Sequence, residues 1–368
     1  MQMKKQSLLV VLTLGTLLLA LSVWSWLKPA DAYSDTERRH LSQMPTLSVQ
    51  SILNKHAPFM QKFESYAVDQ FPMREQFRTL NSAFGKYLLA QKQINNIYLE
   101  NGYAADPEYP LNEESLQWAL ESFSGIHERL LADSKVYFAV VPDKAYYMTN
   151  CPTLDYDEMF SAIRAETDKF ASWVDLTPIL SLDDYYKTDT HWRQEAITDV
   201  ADALLQAMNA SAQPTYTEHP VTDRFFGVYR GQLALTMKPE TLTALYADGM
   251  DTWQVTCFDN GTAESISLYD TEKANGKDGY EMYLSGPLAL ITIENPNAQT
   301  ERELVMFRDS FGSSLAPLLA SSYRKTTLVD TRYLSPTFVG NFVDFADADV
   351  LFLYSTLVLN SAKGQILP

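Results

Sequence analysis

The stretch LVMFRDSFGSSLAPLL at positions 304–319 limits the possible folds more than any other part of the chain. Leu304 to Phe307 is a short apolar run suited to a buried strand, and Leu315, Leu318 and Leu319 fall on one helix face. Between them, Arg308-Asp309-Ser310-Phe311-Gly312 is a turn that holds a hydroxyl where a strand gives way to a helix. Open α/β folds place their chemistry at such turns. Read one way, Ser310 is a nucleophile, with the backbone N–H groups of Ser310 and Phe311 facing the developing negative charge. Read the other way, it is the N-cap of a helix and nothing more.

The whole chain, at 368 residues, suits one large α/β domain or two ordinary ones. Its formal charge of 29 − 46 = −17 leaves no cationic field to collect phosphates, which argues against a nucleic-acid partner. Lys4 and Lys5 precede Leu8 to Leu27, twenty residues without a charge. That is about 30 Å of helix, one bilayer crossing. Lysines on the short side place that end in the cytoplasm and send the remainder out. Residues 1–30 are therefore either a single-pass anchor or a signal segment cleaved near Ala30-Asp31-Ala32. The first outcome leaves the main domain on the extracellular side of the cell membrane, and the second secretes it.

In an oxidising compartment Cys151 and Cys257 are able to close a disulfide loop of about 105 residues, worth about 4–5 kcal/mol. Two free buried cysteines are the alternative. The five histidines are scattered at 40, 56, 127, 191 and 219 and form no zinc pattern, so neither a metal nor a cofactor is expected. Asn209-Ala210-Ser211 and Asn260-Gly261-Thr262 match the glycosylation pattern.

Residues 31–102 form a helical lead-in. Phe59, Phe63 and Tyr66 keep helical spacing, Phe71-Pro72 interrupts, and Phe77, Leu80, Phe84, Tyr87 and Leu88 resume it. Asp69 to Glu75 is read there as packing. From 103 to 368 the pattern is α/β. Helices are expected over Glu113–Leu131 and Tyr156–Phe170, and strands over Val136–Val141, Thr326–Asp330 and Asp349–Tyr354. A strand-rich insertion is expected at about 213–300, with strands at Phe225–Leu235, Ile266–Tyr269 and Glu281–Leu284. Strand, helix, strand, connection and strand argue for a mostly parallel sheet.

An acyl-transfer serine needs a base within about 3 Å, and that base needs an acceptor to fix its tautomer. Asp189 and His191, two apart before a helix, are able to supply both, and no other Asp-x-His occurs in the chain; a lone surface histidine is the alternative reading of His191. Lys144 follows a strand end and is able to line a pocket, with an ordinary charged turn after a buried strand as the commoner alternative. Arg308 and Arg332 offer positive charge to a substrate, with a salt bridge from Arg332 to Asp330 as the alternative. Tyr185 and Tyr186 offer faces for a sugar, or simple packing.

Thr188-Asp189-Thr190-His191-Trp192 with Arg308-Asp309-Ser310-Phe311-Gly312 resembles the DHHW-type proteins, relatives of the alginate O-acetylation proteins in the SGNH hydrolase-like group. Asp69–Glu75, Val141-Pro142-Asp143-Lys144, Leu328–Tyr333 and Asp349–Tyr354 add to the resemblance, which spans roughly residues 31–360. It implies a three-layer α/β sandwich and a Ser310, His191, Asp189 triad. It also implies a membrane-bound O-acyltransferase-type partner that passes acyl groups outward to a cell-surface glycan. Asp-Thr-His-Trp departs from the common Asp-His-His-Trp and leaves both roles intact. Arg308 stands where a small residue often precedes Asp-Ser. The expected function is an exported serine-dependent O-acyltransferase. The alternatives are a carbohydrate esterase or deacetylase with the same triad, and a non-catalytic surface assembly protein.

Overall fold

The computed structural model describes residues 2–47, 59–258 and 261–367. It comprises two compact units, Met1–Asn95 with Arg230–Thr236, and Asn96–Tyr229 with Met237–Pro368. His56 and Asn260 lie outside the described residues.

The first unit begins with helix α1 (Gln2–Leu27). Its segment Ser7–Leu27 has a mean hydropathy of 2.2 and is long and apolar enough to cross a membrane. Helices α2 (Phe59–Asp69) and α3 (Arg74–Ala83) follow, separated at Pro72, whose ring and missing N–H cannot continue a helix. Asp69 at the end of α2 accepts from Arg39 at 2.9 and 2.6 Å and from the Ser42 N–H at 2.8 Å. Gln70 brackets Asp31, accepting from its N–H and donating to its C=O, both at 2.8 Å. The Asp69–Glu75 stretch thus spends its polar groups on this unit's own backbone and ion pairs. Arg78 donates to the carbonyls of Gly231 and Gln232 at 3.2 and 2.8 Å, which ties in the unit's second segment.

The second unit is built on an eight-stranded sheet. Its strands are β1 (Lys135–Val141), β2 (Ser172–Val174), β3 (Gln254–Cys257), β4 (Glu264–Ser265), β5 (Leu290–Glu294), β6 (Glu303–Arg308), β7 (Lys325–Val329) and β8 (Asp349–Ser355). In space they run β4-β3-β5-β7-β6-β8-β1-β2. The five from β7 to β2 are parallel, and β5, β3 and β4 extend one edge antiparallel. Side chains alternate between two cores, because a strand sends successive residues to opposite faces. Met306, Leu351, Leu353 and Ala139 pack with helices α6 (Thr198–Ala207) and α7 (Phe311–Ala320) on one face. Val305, Phe307, Phe352 and Phe138 pack with α4 (Glu113–Leu130) and α5 (Tyr156–Thr167) on the other. Each Leu or Phe so buried contributes about 1.5–3 kcal/mol. The result is a three-layer α/β sandwich with a mostly parallel sheet.

Local chemistry sets the boundaries. Asn112 caps α4 by accepting from the Ser115 N–H, and Asp155 caps α5 by accepting from the Glu158 N–H. Three expected strands are corrected. A strand over Thr217–Phe225, paired with Glu240–Tyr246, ends at Phe225 instead of running to Leu235. Ile266–Tyr269 and Glu281–Leu284 form no strand beyond an isolated Tyr269–Tyr283 bridge, and a tight helical turn fills Gly279–Met282. Apolar residues in these runs pack individually into a core with Tyr186 and Phe225, so alternation there marks burial without a ladder.

Candidate active site

The turn between β6 and α7 is held from below. Asp309 is fully buried, and its carboxylate accepts from the N–H and Oγ–H of Ser355 at 2.7 and 2.6 Å at the end of the neighbouring strand β8. Its other oxygen accepts from the Phe311 N–H at 3.0 Å. Asp309 therefore supplies the side-chain cap of α7, and Ser310, at the N-cap position, makes no side-chain capping bond. With φ −63° and ψ −23°, Ser310 is already helical. Its Oγ lies 2.8 Å from Nε2 of His191.

His191 belongs to a loop that doubles back on itself, with the Tyr186 N–H donating to the His191 carbonyl at 3.0 Å. Nδ1 lies 2.6 Å from Asp189 Oδ1. Asp189 is buried, and its second oxygen accepts from the Val228 N–H at 3.0 Å. A carboxylate at Nδ1 holds the proton there, which leaves Nε2 as the acceptor for the serine hydroxyl. The Tyr280 ring stacks on the imidazole at 3.8 Å and 6°, and its hydroxyl lies 2.7 Å from Ser314 Oγ on α7. Trp192 donates to the same Oγ at 2.9 Å and to the Phe311 carbonyl at 3.1 Å. Gln194 donates to the Ser314 carbonyl at 2.8 Å. The loop and the helix are thus locked by buried bonds on either side of the His191–Ser310 pair.

Lys144 is buried, does not line the cleft over Ser310, and spends its ammonium on the main chain, so it takes a structural place instead of a substrate contact. Its ammonium donates to the carbonyls of Tyr186 at 2.6 Å and Asp189 at 2.5 Å, with Lys187 at 3.4 Å. Burial pushes its pKa from 10.5 to about 7, against the attraction of Asp189, Glu240 and Asp143. Glu240 supports the loop from outside, accepting from the N–H groups of Lys187 and Thr188 at 2.7 and 2.8 Å.

A cleft opens over Ser310, lined by His191, Tyr280, Arg308, Ser313, Arg332 and Tyr333 among others. Arg332 donates to both oxygens of the buried Asp330, at 2.9 and 2.7 Å, which is the salt bridge given above as its alternative. Arg308 is 1% exposed and makes only long contacts, 3.2 Å to Ser313 Oγ, 3.4 Å to the Asp309 and Leu288 carbonyls, and 3.6 Å to Asp330. Its Nε has no partner among the described residues. Desolvation lowers its pKa, with Asp330 pulling it back.

For the tyrosines and the cysteines the structure takes the second of the alternatives given above, and Phe311 is corrected as a donor. Tyr185 and Tyr186 are buried, and Tyr185 donates to the Pro142 carbonyl at 2.5 Å, so neither offers a face to a sugar. Cys151 and Cys257 are both free and buried. Cys151 packs with Tyr98 and Met148, and Cys257 sits in the core beneath α6 and α7. The Phe311 N–H is spent on Asp309, and those of Gly312 and Ser313 on the Asp309 and Ser310 carbonyls at 3.1 Å each. None of these bonds uses the Ser310 N–H. Tyr280, Gln194, Asp309 and Gly227 were missed by sequence reasoning. Of these, only Asp309 carried a signal, as an acidic residue directly before the turn serine. Among the described residues no group of three or more His, Cys, Asp or Glu is placed to hold a metal ion.

The structure is thus a mostly parallel α/β sandwich in which Ser310 follows the carboxyl end of the inner strand β6, and a separate loop brings His191 and Asp189 to it. The chain shares this fold with a DHHW family protein from Eubacterium siraeum, at a TM-score of 0.59 and 20% identity, over 75% of this chain and 97% of that one. It shares it equally with Bacillus cereus PatB1 carrying a sulfonyl adduct, at 0.58 and 19%, over 74% of this chain and all of the other. These neighbours match the resemblance to DHHW-type proteins drawn from the motifs. No protein-family model and no curated protein sequence matches the chain.

Proposed function

We propose that the chain is an exported serine O-acyltransferase that moves an acyl group, in the first instance acetyl, onto a hydroxyl of a cell-surface or secreted polysaccharide. The observation that carries this reading is the imidazole bonded to Asp189 on one side and to Ser310 on the other. Ser310 Oγ attacks the acyl carbonyl while Nε2 of His191 takes its proton, and Asp189 supports the imidazolium. The tetrahedral intermediate collapses, and His191 returns the proton to the leaving oxygen. A glycan hydroxyl then attacks the acyl-serine with His191 again as base; the Ser310 Oγ–C bond breaks, His191 returns the proton to Oγ, and the acyl group stays on the glycan oxygen. The sulfonyl adduct of PatB1 supports this reading, since such an adduct marks a nucleophile in a protein of this fold.

On this reading α1 anchors the chain as a single span with the catalytic unit outside the cell, or is removed on export. The acyl group arrives from a membrane-bound O-acyltransferase-type partner. The test is to incubate the full chain in detergent with an activated acetyl ester and candidate cell-wall oligosaccharides, following intact mass. Wild type gains one acetyl group and passes it to an oligosaccharide faster than to water, whereas Ser310→Ala gains none. Acetyl addition that persists in the alanine variant removes Ser310 as nucleophile. Water as the faster acceptor makes the protein an esterase.

A further inference from the structure

We infer that the guanidinium of Arg308 is the second oxyanion donor of this site, in place of a main-chain N–H. The inference rests on the reading of Ser310 as nucleophile.

Attack on an acyl carbonyl moves the C=O electron pair onto oxygen, and that charge needs donors already in place. The turn carrying Ser310 offers few. The N–H groups of Phe311, Gly312 and Ser313 are all engaged within the turn, so only that of Ser310 is left by those bonds. Arg308 lies beside this turn. A Cβ on Gly312 would meet its Cβ at 2.8 Å and its Cγ at 3.1 Å, so the side chain runs along the first turn of α7. Its NH1 reaches Ser313 Oγ, and it lines the same cleft as Ser310 and His191.

A buried guanidinium is ordinarily paired at hydrogen-bond distance, because leaving such a charge unsatisfied is costly. Arg308 is paired only at long range, by bonds of 3.2 Å to Ser313 Oγ and 3.4 Å to two carbonyls, with Asp330 at 3.6 Å. Asp330 spends both oxygens on Arg332, and Nε of Arg308 has no partner among the described residues. Two occupants suit such a cation, a standing anionic group on the substrate or a charge that forms during reaction. The charges around it favour the second. Asp309 and Asp330 already balance Arg308 and Arg332, Asp278 and Glu281 line the cleft, and the chain as a whole carries −17. A polyanionic acceptor meets repulsion there, whereas a charge created within the cleft meets a fixed, desolvated donor.

In the step proposed, the Ser310 Oγ–C bond forms and the Oγ proton passes to His191. The carbonyl electron pair settles on oxygen against Arg308 and the Ser310 N–H. Expulsion of the leaving oxygen, protonated by His191, restores the carbonyl and frees Arg308.

The test uses the full-length wild type, R308Q, R308K and S310A with p-nitrophenyl acetate, reading the acylation rate and KM separately, with melting curves as the check on folding. R308Q is expected to lose about 10²–10³-fold in acylation rate, the loss typical of one oxyanion donor. R308K, which keeps the charge beside Asp330 on a shorter reach, is expected to lose at least about 10-fold, and KM is expected to stay within about threefold in both. R308K decides the matter if R308Q does not fold. Acylation at the wild-type rate in either variant overturns the inference. So does a loss that resides in KM, which would make Arg308 a ground-state binding group. Acylation that survives in S310A instead sinks the nucleophile reading itself, a result distinct from either.

Discussion

The ammonium of Lys144 donates to the main-chain carbonyl of Asp189 at 2.5 Å, inside the protein and one turn away from the strand that delivers it. Because the same nitrogen holds the Tyr186 carbonyl, one side chain fixes both ends of the segment that carries the Asp189 carboxylate.

Lys144→Met removes that clamp. It leaves carbonyls unpaired, at about 1–3 kcal/mol for a buried polar group, offset in part by removal of a buried charge. The sign of the pH dependence follows from a folded pKa of about 7 against the ordinary 10.5. Between those values the unfolded chain binds more protons, so the Lys144 contribution to stability rises with pH across about 7 to 10.5. Melting temperatures of wild type and variant measured over that range are expected to draw further apart as pH increases. A constant gap would show that Lys144 does not titrate there.

Gly227→Ala is expected to disable the site without touching Ser310 or His191. An added Cβ would lie 2.2 Å from the Thr188 carbonyl and 2.3 Å from Cα and Cβ of Asp189, against backbone that has no room to move. Its N–H also donates to Thr188 Oγ1 at 3.0 Å. Displacing Asp189 by an ångström is expected to cost about 10²-fold in acylation rate. Acylation of the full-length variant, compared with its melting temperature, separates this from general unfolding.

Gly312→Ala tests the close passage of Arg308. The new Cβ would approach Met306 Cε at 3.1 Å as well as the arginine stem, so the core beneath α7 must give. Overpacking of this kind costs about 1–3 kcal/mol. The expected result is a melting temperature lower by several degrees, together with a slower acylation rate because the guanidinium shifts. An unchanged rate with a lowered melting temperature would separate packing from chemistry.

The two cysteines predict indifference to reductant. A disulfide closing the loop between Cys151 and Cys257 would be worth about 4–5 kcal/mol and would make melting strongly dependent on reduction. With both thiols free and buried, thermal melts with and without dithiothreitol are expected to coincide. Titration of the denatured chain is expected to yield two thiols.

The sequence by itself determined the strand and helix order around Ser310, the pairing of Asp189 with His191, and the apolar helix near the N-terminus. These are local patterns, set by side-chain period, residue spacing and turn chemistry. It left Tyr185, Tyr186 and Lys144 open between substrate contact and a structural place, because an aromatic or charged residue in a polar stretch looks the same whether its neighbours in space are solvent or core. Tertiary structure alone decided that Asp309 is held by Ser355 at the end of the neighbouring strand, that Tyr280 stacks on the imidazole, and that Ser310 lies beside His191. Each depends on segments 40 to 120 residues apart meeting across a parallel sheet. Such meetings follow from strand order and register, which no short window of the chain contains.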